Sequence, residues 1–170
     1  AALPRRLSYR RSPARRGDRL NMRKTLREAV QRDGELFHLS HTRRKTRQRR
    51  IVLLVDVSGS MQDRTQAMLH LAHALARSAD RFEAFTLGTR LTRVTPALRL
   101  ANGDRALERV GSIVADFDGG TRIGDALAAF LAVPRFAGFA RGAAVIVLSD
   151  GLERGDPAAM IAAVQKLSRL

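Results

Sequence analysis

Ile51-Val-Leu-Leu-Val-Asp-Val-Ser-Gly-Ser-Met61 is the stretch on which the fold turns. Five apolar residues in a row, rich in β-branching and lacking polar alternation, fit a strand covered on both faces, as in the middle of a parallel sheet. The run ends on a carboxylate, Asp56, and a short Ser-Gly-Ser turn. Met68, Leu69, Leu71, Ala72 and Leu75 then gather on one side of a helix predicted over residues 62–78. Residues 81–87 return to strand, which completes a right-handed crossover unit.

Working outward toward the C-terminus, Gly88-Thr89 separates that strand from a shorter one over 91–95, a hairpin whose outer member is an antiparallel edge. Helices are predicted over 104–115 and 123–133. Ala143-Ala-Val-Ile-Val-Leu148 reads as a second buried strand ended by Ser149-Asp150-Gly151. Asp156-Pro157 then supplies an N-cap and a first-turn proline for a last helix running toward Leu170. Strands alternating with helices predict an α/β fold: a doubly wound, mostly parallel sheet with one antiparallel edge strand, flanked by helices.

Upstream of Ile51 the composition changes. Residues 1–50 hold 17 Lys+Arg against 4 Asp+Glu, net +13, whereas residues 51–170 hold 14 against 12, net +2, so the chain's +15 belongs to its N-terminal part. Two units follow: a basic extension over 1–50 and an α/β domain over 51–170. Within the extension, residues 1–18 read as extended or disordered, and 21–30 as a short amphipathic helix carrying Met22, Leu26, Ala29 and Val30. Residues 35–40 alternate loosely, as a strand would, and 42–50 read as a basic connector without an apolar face. Such an arm suits nucleic acid, an anionic membrane face or an acidic protein. A solvated leader is the bland alternative. Nucleic-acid binding is the alternative function, although the single tyrosine, Tyr9, comes without a stacking platform.

With no cysteine, the chain has no disulfide, thiolate zinc site or cysteine nucleophile, so any metal must sit on oxygen or imidazole. No run of eighteen apolar residues and no secretory h-region occur, and the expectation is a cytoplasmic protein without a transmembrane segment.

Three strand ends carry the chemistry. Asp56-Val-Ser58-Gly-Ser60 places three oxygen side chains at alternate positions of a tight turn. Gly119-Gly-Thr121-Arg-Ile-Gly124 brings a hydroxyl to the start of a helix. Ser149-Asp150-Gly151 ends a strand on a carboxylate. In a parallel sheet these ends share one edge, so they can converge although they are far apart in sequence. Asp56, Ser58, Ser60, Thr121 and Asp150 are therefore candidate ligands of a divalent cation. Hard oxygen donors select Mg²⁺, with Mn²⁺ or Ca²⁺ as alternatives. Two carboxylates at most neutralise such an ion, which stays electrophilic toward an Asp or Glu from a partner. The competing reading is that these Asp and Ser residues only cap helices. His70 and His73 have metal-ligand spacing but no third partner, and read as packed or solvated. A phosphotransferase of the haloacid-dehalogenase type would need a second aspartate where Ser58 stands, and no phosphate-binding glycine loop occurs. No nucleophile–base pair is evident, so the expectation is a protein that is not an enzyme.

Asp-x-Ser-x-Ser, a later Gly-Gly-Thr and a later Ser-Asp-Gly resemble the metal-ion-dependent adhesion site of von Willebrand factor A (VWA) domains. The finer resemblance is to CoxE-like VWA proteins. It rests on residues 51–61, Phe85-Thr-Leu-Gly-Thr-Arg-Leu-Thr-Arg-Val94, Gly119–Gly124 and Ser149-Asp-Gly-Leu-Glu-Arg-Gly-Asp156, together with the arginine-rich leader. It implies an accessory protein in maturation of a molybdenum-containing carbon monoxide dehydrogenase, partnered by an AAA+ ATPase and a client metalloenzyme. It also implies further strand after Leu170.

Overall fold

The computed structural model describes residues 3–32, 38–58, 62–114 and 122–170. The chain divides into two compact units, residues 1–48 and 49–170.

The first unit is a small antiparallel sheet with one helix. Its elements are β1 (Arg5–Ala14), β2 (Arg19–Leu20), α1 (Met22–Val30) and β3 (His41–Gln48), with strand order β1-β3-β2. The connector predicted over 42–50 is thus corrected: most of it is the central strand of this sheet. A strand made of His, Thr, Arg, Lys and Gln has no hydrophobic period to betray it, and its backbone ladder to β1 does the holding. The extended reading of residues 1–18 fits β1. Of the strand suggested over 35–40, residues 35–37 lie outside the described residues, and His38–Ser40 form no strand. The Asn21 side chain caps α1 by accepting from the Lys24 N–H at 3.2 Å. This helix buries Thr25 and Ala29, while Met22, Leu26 and Val30 are exposed.

The second unit contains β4 (Ile51–Asp56), α2 (Gln62–Ser78), β5 (Phe82–Leu87), β6 (Leu91–Arg93), α3 (Thr95–Leu98), α4 (Gly103–Ile113), α5 (Ile123–Ala132), α6 (Pro134–Ala140), β7 (Ala144–Leu148) and α7 (Pro157–Ser168). The sheet order is β6-β5-β4-β7. β4 runs parallel to both β5 and β7, and β6 is the antiparallel edge, as its sequence predicts. Every residue of β4 is buried, the consequence of its uninterrupted apolar run. Side chains alternate across it. Val52 and Leu54 pack with Phe85, Leu87, Val145, α5 and α7, where Phe130 meets Phe85 edge-on at 5.2 Å. Ile51, Leu53 and Val55 take the other face, where α2 lies against β4 and β5.

Two short helices escape hydrophobic periodicity because each spans two turns or fewer: α3 and α6, both with proline in the first turn. β7 is a second correction. Its sequence predicts burial on both faces, yet Ile146 is 37% and Val147 42% exposed. Within the described residues β7 pairs only with β4, which leaves its other side uncovered in this chain.

Candidate metal centre

Register brings the first and third strand ends together. Val55 lies beside Leu148 in the parallel β4–β7 ladder, so the next residues, Asp56 and Ser149, leave the sheet side by side. The Ser149 hydroxyl donates to Asp56 Oδ2 at 2.7 Å and accepts from the Gly151 N–H at 3.0 Å. Asp56 is fully buried, and its Oδ1 accepts from the Ser58 N–H at 3.0 Å, which folds the chain back over the carboxylate. The Val57 N–H donates to the Leu87 carbonyl at 3.0 Å and ties the same turn to β5. A carboxylate removed from water is costly without such partners, and the turn is built to provide them.

Ser58 is itself buried, at 8% exposure. Asp150 is exposed, with Oδ1 accepting from the Leu152 N–H at 3.0 Å. Gly151 permits this turn, since its φ of +79° is a conformation few side-chain-bearing residues adopt. Of the five candidate ligands, the structure thus brings Asp56, Ser58 and the Ser149-Asp150 strand end to one edge. Ser60 and Thr121 lie outside the described residues.

The described residues that follow Thr121, at the start of α5, are tied to the loop after β7. The Gly124 N–H, in the first turn of α5, donates to Glu153 Oε2 at 2.8 Å, and Glu153 belongs to the loop after β7. Arg122 offers α5 no side-chain cap, so Glu153 caps it from another loop, adding a negative charge at the positive end of the helix. The start of α5 is thereby held at the edge where Asp56 and Asp150 stand. Gly124 is needed for a second reason: a Cβ there would lie 2.8 Å from the Met160 backbone nitrogen, so its absence lets α5 approach α7.

Ser149 and Glu153 are functional candidates that sequence reasoning left aside. Ser149 precedes Asp150 and Glu153 sits three residues after it, but only strand register and loop closure reveal what they touch. His73 is settled otherwise, with Nε2 3.0 Å from the Leu100 carbonyl. Among the described residues no three His, Asp or Glu side chains form a cluster. The donor set is instead carboxylate and hydroxyl oxygen without sulfur or imidazole, and it fits a hard divalent cation.

A profile of VWA domain containing CoxE-like proteins matches residues 1–170. Among solved structures, proximal thread matrix protein 1 from the mussel byssus is similar, with a TM-score of 0.48 and 22% identity over 71% of this chain and 35% of its own. A von Willebrand factor type A structure from Catenulispora acidiphila gives a TM-score of 0.47 and 22% identity over 74% of this chain and 32% of its own. The chain spans about a third of the length of these two structures. The comparison with curated proteins gives no match.

Proposed function

The chain belongs to the family of CoxE-like VWA-domain proteins, and from that premise we propose that it is a metal-dependent protein-interaction module, not an enzyme. The observation that carries this reading is the junction of Asp56, Ser58 and Ser149-Asp150 at the carboxyl edge of the sheet. Asp56, Ser58, Ser60, Thr121 and Asp150 would hold Mg²⁺, or Mn²⁺ or Ca²⁺ in its place. When bound, the cation supplies Lewis acidity toward a carboxylate, and so selects an Asp or Glu side chain of a partner. Ser149 and the Ser58 amide keep Asp56 oriented. Glu153 keeps the start of α5 in place. The exposed Asp150 stands where a partner can reach the site.

The partners that fit this family reading are an AAA+ ATPase and a molybdenum-containing carbon monoxide dehydrogenase-type client, with the VWA module as adaptor in the client's maturation. Neither a phosphate-binding loop nor a nucleophile–base pair is read from the sequence, so the energy for remodelling comes from the ATPase. No single described helix is long and apolar enough to cross a membrane, and we place the adaptor in the cytoplasm. The test is affinity capture with the tagged chain and its Asp150→Ala variant, in Mg²⁺ and in EDTA. This reading predicts an AAA+ ATPase retained in Mg²⁺ and lost in EDTA or with the variant. Equal capture in EDTA contradicts it.

A further inference from the structure

The basic N-terminal unit is an ordered sheet, and its strand register sorts its cations by face. Alternate residues of β3 share a face, so Arg43, Lys45 and Arg47 form one row. Arg6 of β1 stands directly opposite Arg47, on that same face, and Ser12 stands opposite Arg43. All four cations are exposed, and none forms a salt bridge with a described residue. The other face differs. There Arg11 is engaged by Asp18 and by the Thr42 hydroxyl and carbonyl, and Arg44 lies over the Tyr9 ring at 5.5 Å.

Like charges directly across a strand pair destabilise it, so the Arg6–Arg47 pair opposes the fold unless an anion lies over it. The row repeats about every 6.8 Å, twice the rise of an extended residue. An extended peptide with Asp or Glu at alternate positions has that same repeat and can set one carboxylate against each of Arg43, Lys45 and Arg47. Guanidinium groups at both ends of the row favour paired hydrogen bonds to carboxylate. A single-stranded nucleic acid gains much of its affinity from aromatic stacking, and the unit's one tyrosine is engaged with Arg44, which belongs to the opposite row. We propose that the face of Arg6, Arg43, Lys45 and Arg47 is a docking surface for an extended acidic segment of a partner protein. This surface is independent of the metal centre.

The test uses the whole chain in EDTA, so that the metal centre is silent, with fluorescence anisotropy on three probes: a labelled peptide of alternating Glu and Thr, a single-stranded oligonucleotide and a DNA duplex of equal charge. The charge-reversed triple variant R43E/K45E/R47E weakens peptide binding about thirtyfold, the sum of three exposed pairs lost and reversed. Reversing three exposed arginines of the second unit, R99E/R105E/R109E, changes the net charge equally and shifts binding less than about threefold. A neutral variant, R43Q/R47Q, gives an intermediate loss and guards against misfolding of the reversed one, with circular dichroism on all. The proposal is overturned if the peptide does not bind at low salt, if the control triple weakens it as much as the row does, or if either oligonucleotide binds through this row more tightly than the peptide.

Discussion

Removing a single hydroxyl, in Ser149→Ala, isolates the contact on which the candidate centre depends. Ser149 donates to Asp56 Oδ2 at 2.7 Å, and the acceptor is fully buried. Hydrogen bonds to charged groups contribute about 1.5–3 kcal/mol, and the burial of Asp56 places this one in the upper half of that range. The Gly151 N–H also loses its acceptor, but Gly151 is exposed and water replaces the bond, which adds little. We therefore expect a loss of about 2.5 kcal/mol in urea unfolding with an unchanged denaturant slope. The same hydroxyl orients Asp56 for a cation, and losing such a supporting partner typically weakens metal affinity by about 10–100-fold. Calorimetric Mg²⁺ titration of Ser149→Ala should show a weakening of that order. A stability change under about 0.5 kcal/mol together with undiminished Mg²⁺ affinity would refute the reasoning.

Three further outcomes follow from the same geometry. Glu153→Ala removes the cap that α5 receives from a neighbouring loop, and should cost about 1–2 kcal/mol in urea unfolding and weaken Mg²⁺ binding about tenfold, with Glu153→Gln in between. Gly124→Ala drives a methyl group into the Met160 backbone and should destabilise by about 1–3 kcal/mol, read as a lower thermal midpoint. Burial pushes the Glu83 carboxyl up, but hydrogen bonds from Arg93 and Thr95 and the charges of Arg93 and Arg135 outweigh it and hold the group below its ordinary value. Because the folded value is the lower one, this stabilisation is complete above the ordinary glutamate value of about 4.3 and is lost as pH falls through the folded value. Glu83→Gln should therefore be less stable at neutral pH, and its deficit should shrink as unfolding is followed below about pH 4.

Much of the second unit was legible because its signals are local. β4 announces itself by an unbroken apolar run, α7 by Asp156-Pro157, and the hairpin to β6 by Gly88-Thr89. What sequence reasoning missed lacks such a signal. β3 carries no apolar alternation, so nothing in its composition distinguishes a central strand from a connector. β7 has the composition of a strand covered on both faces, yet Ile146 and Val147 are exposed, because cover is set by neighbouring elements and not by the strand's own residues. The same holds for the site. Asp56, Ser58 and Asp150 could be picked out as oxygen donors at strand ends, whereas Ser149 and Glu153 matter for what they touch across more than twenty-five residues of sequence.

The central claim is that this chain itself holds a divalent cation through Asp56 and Asp150. It is tested most directly by isothermal titration of Mg²⁺ into the wild-type chain and into Asp56→Asn and Asp150→Ala, each first shown to be folded by circular dichroism. The account predicts one saturable site in the wild type that either substitution abolishes or weakens at least tenfold. A folded wild-type chain that takes up no cation, or one whose uptake survives both substitutions unchanged, would contradict it.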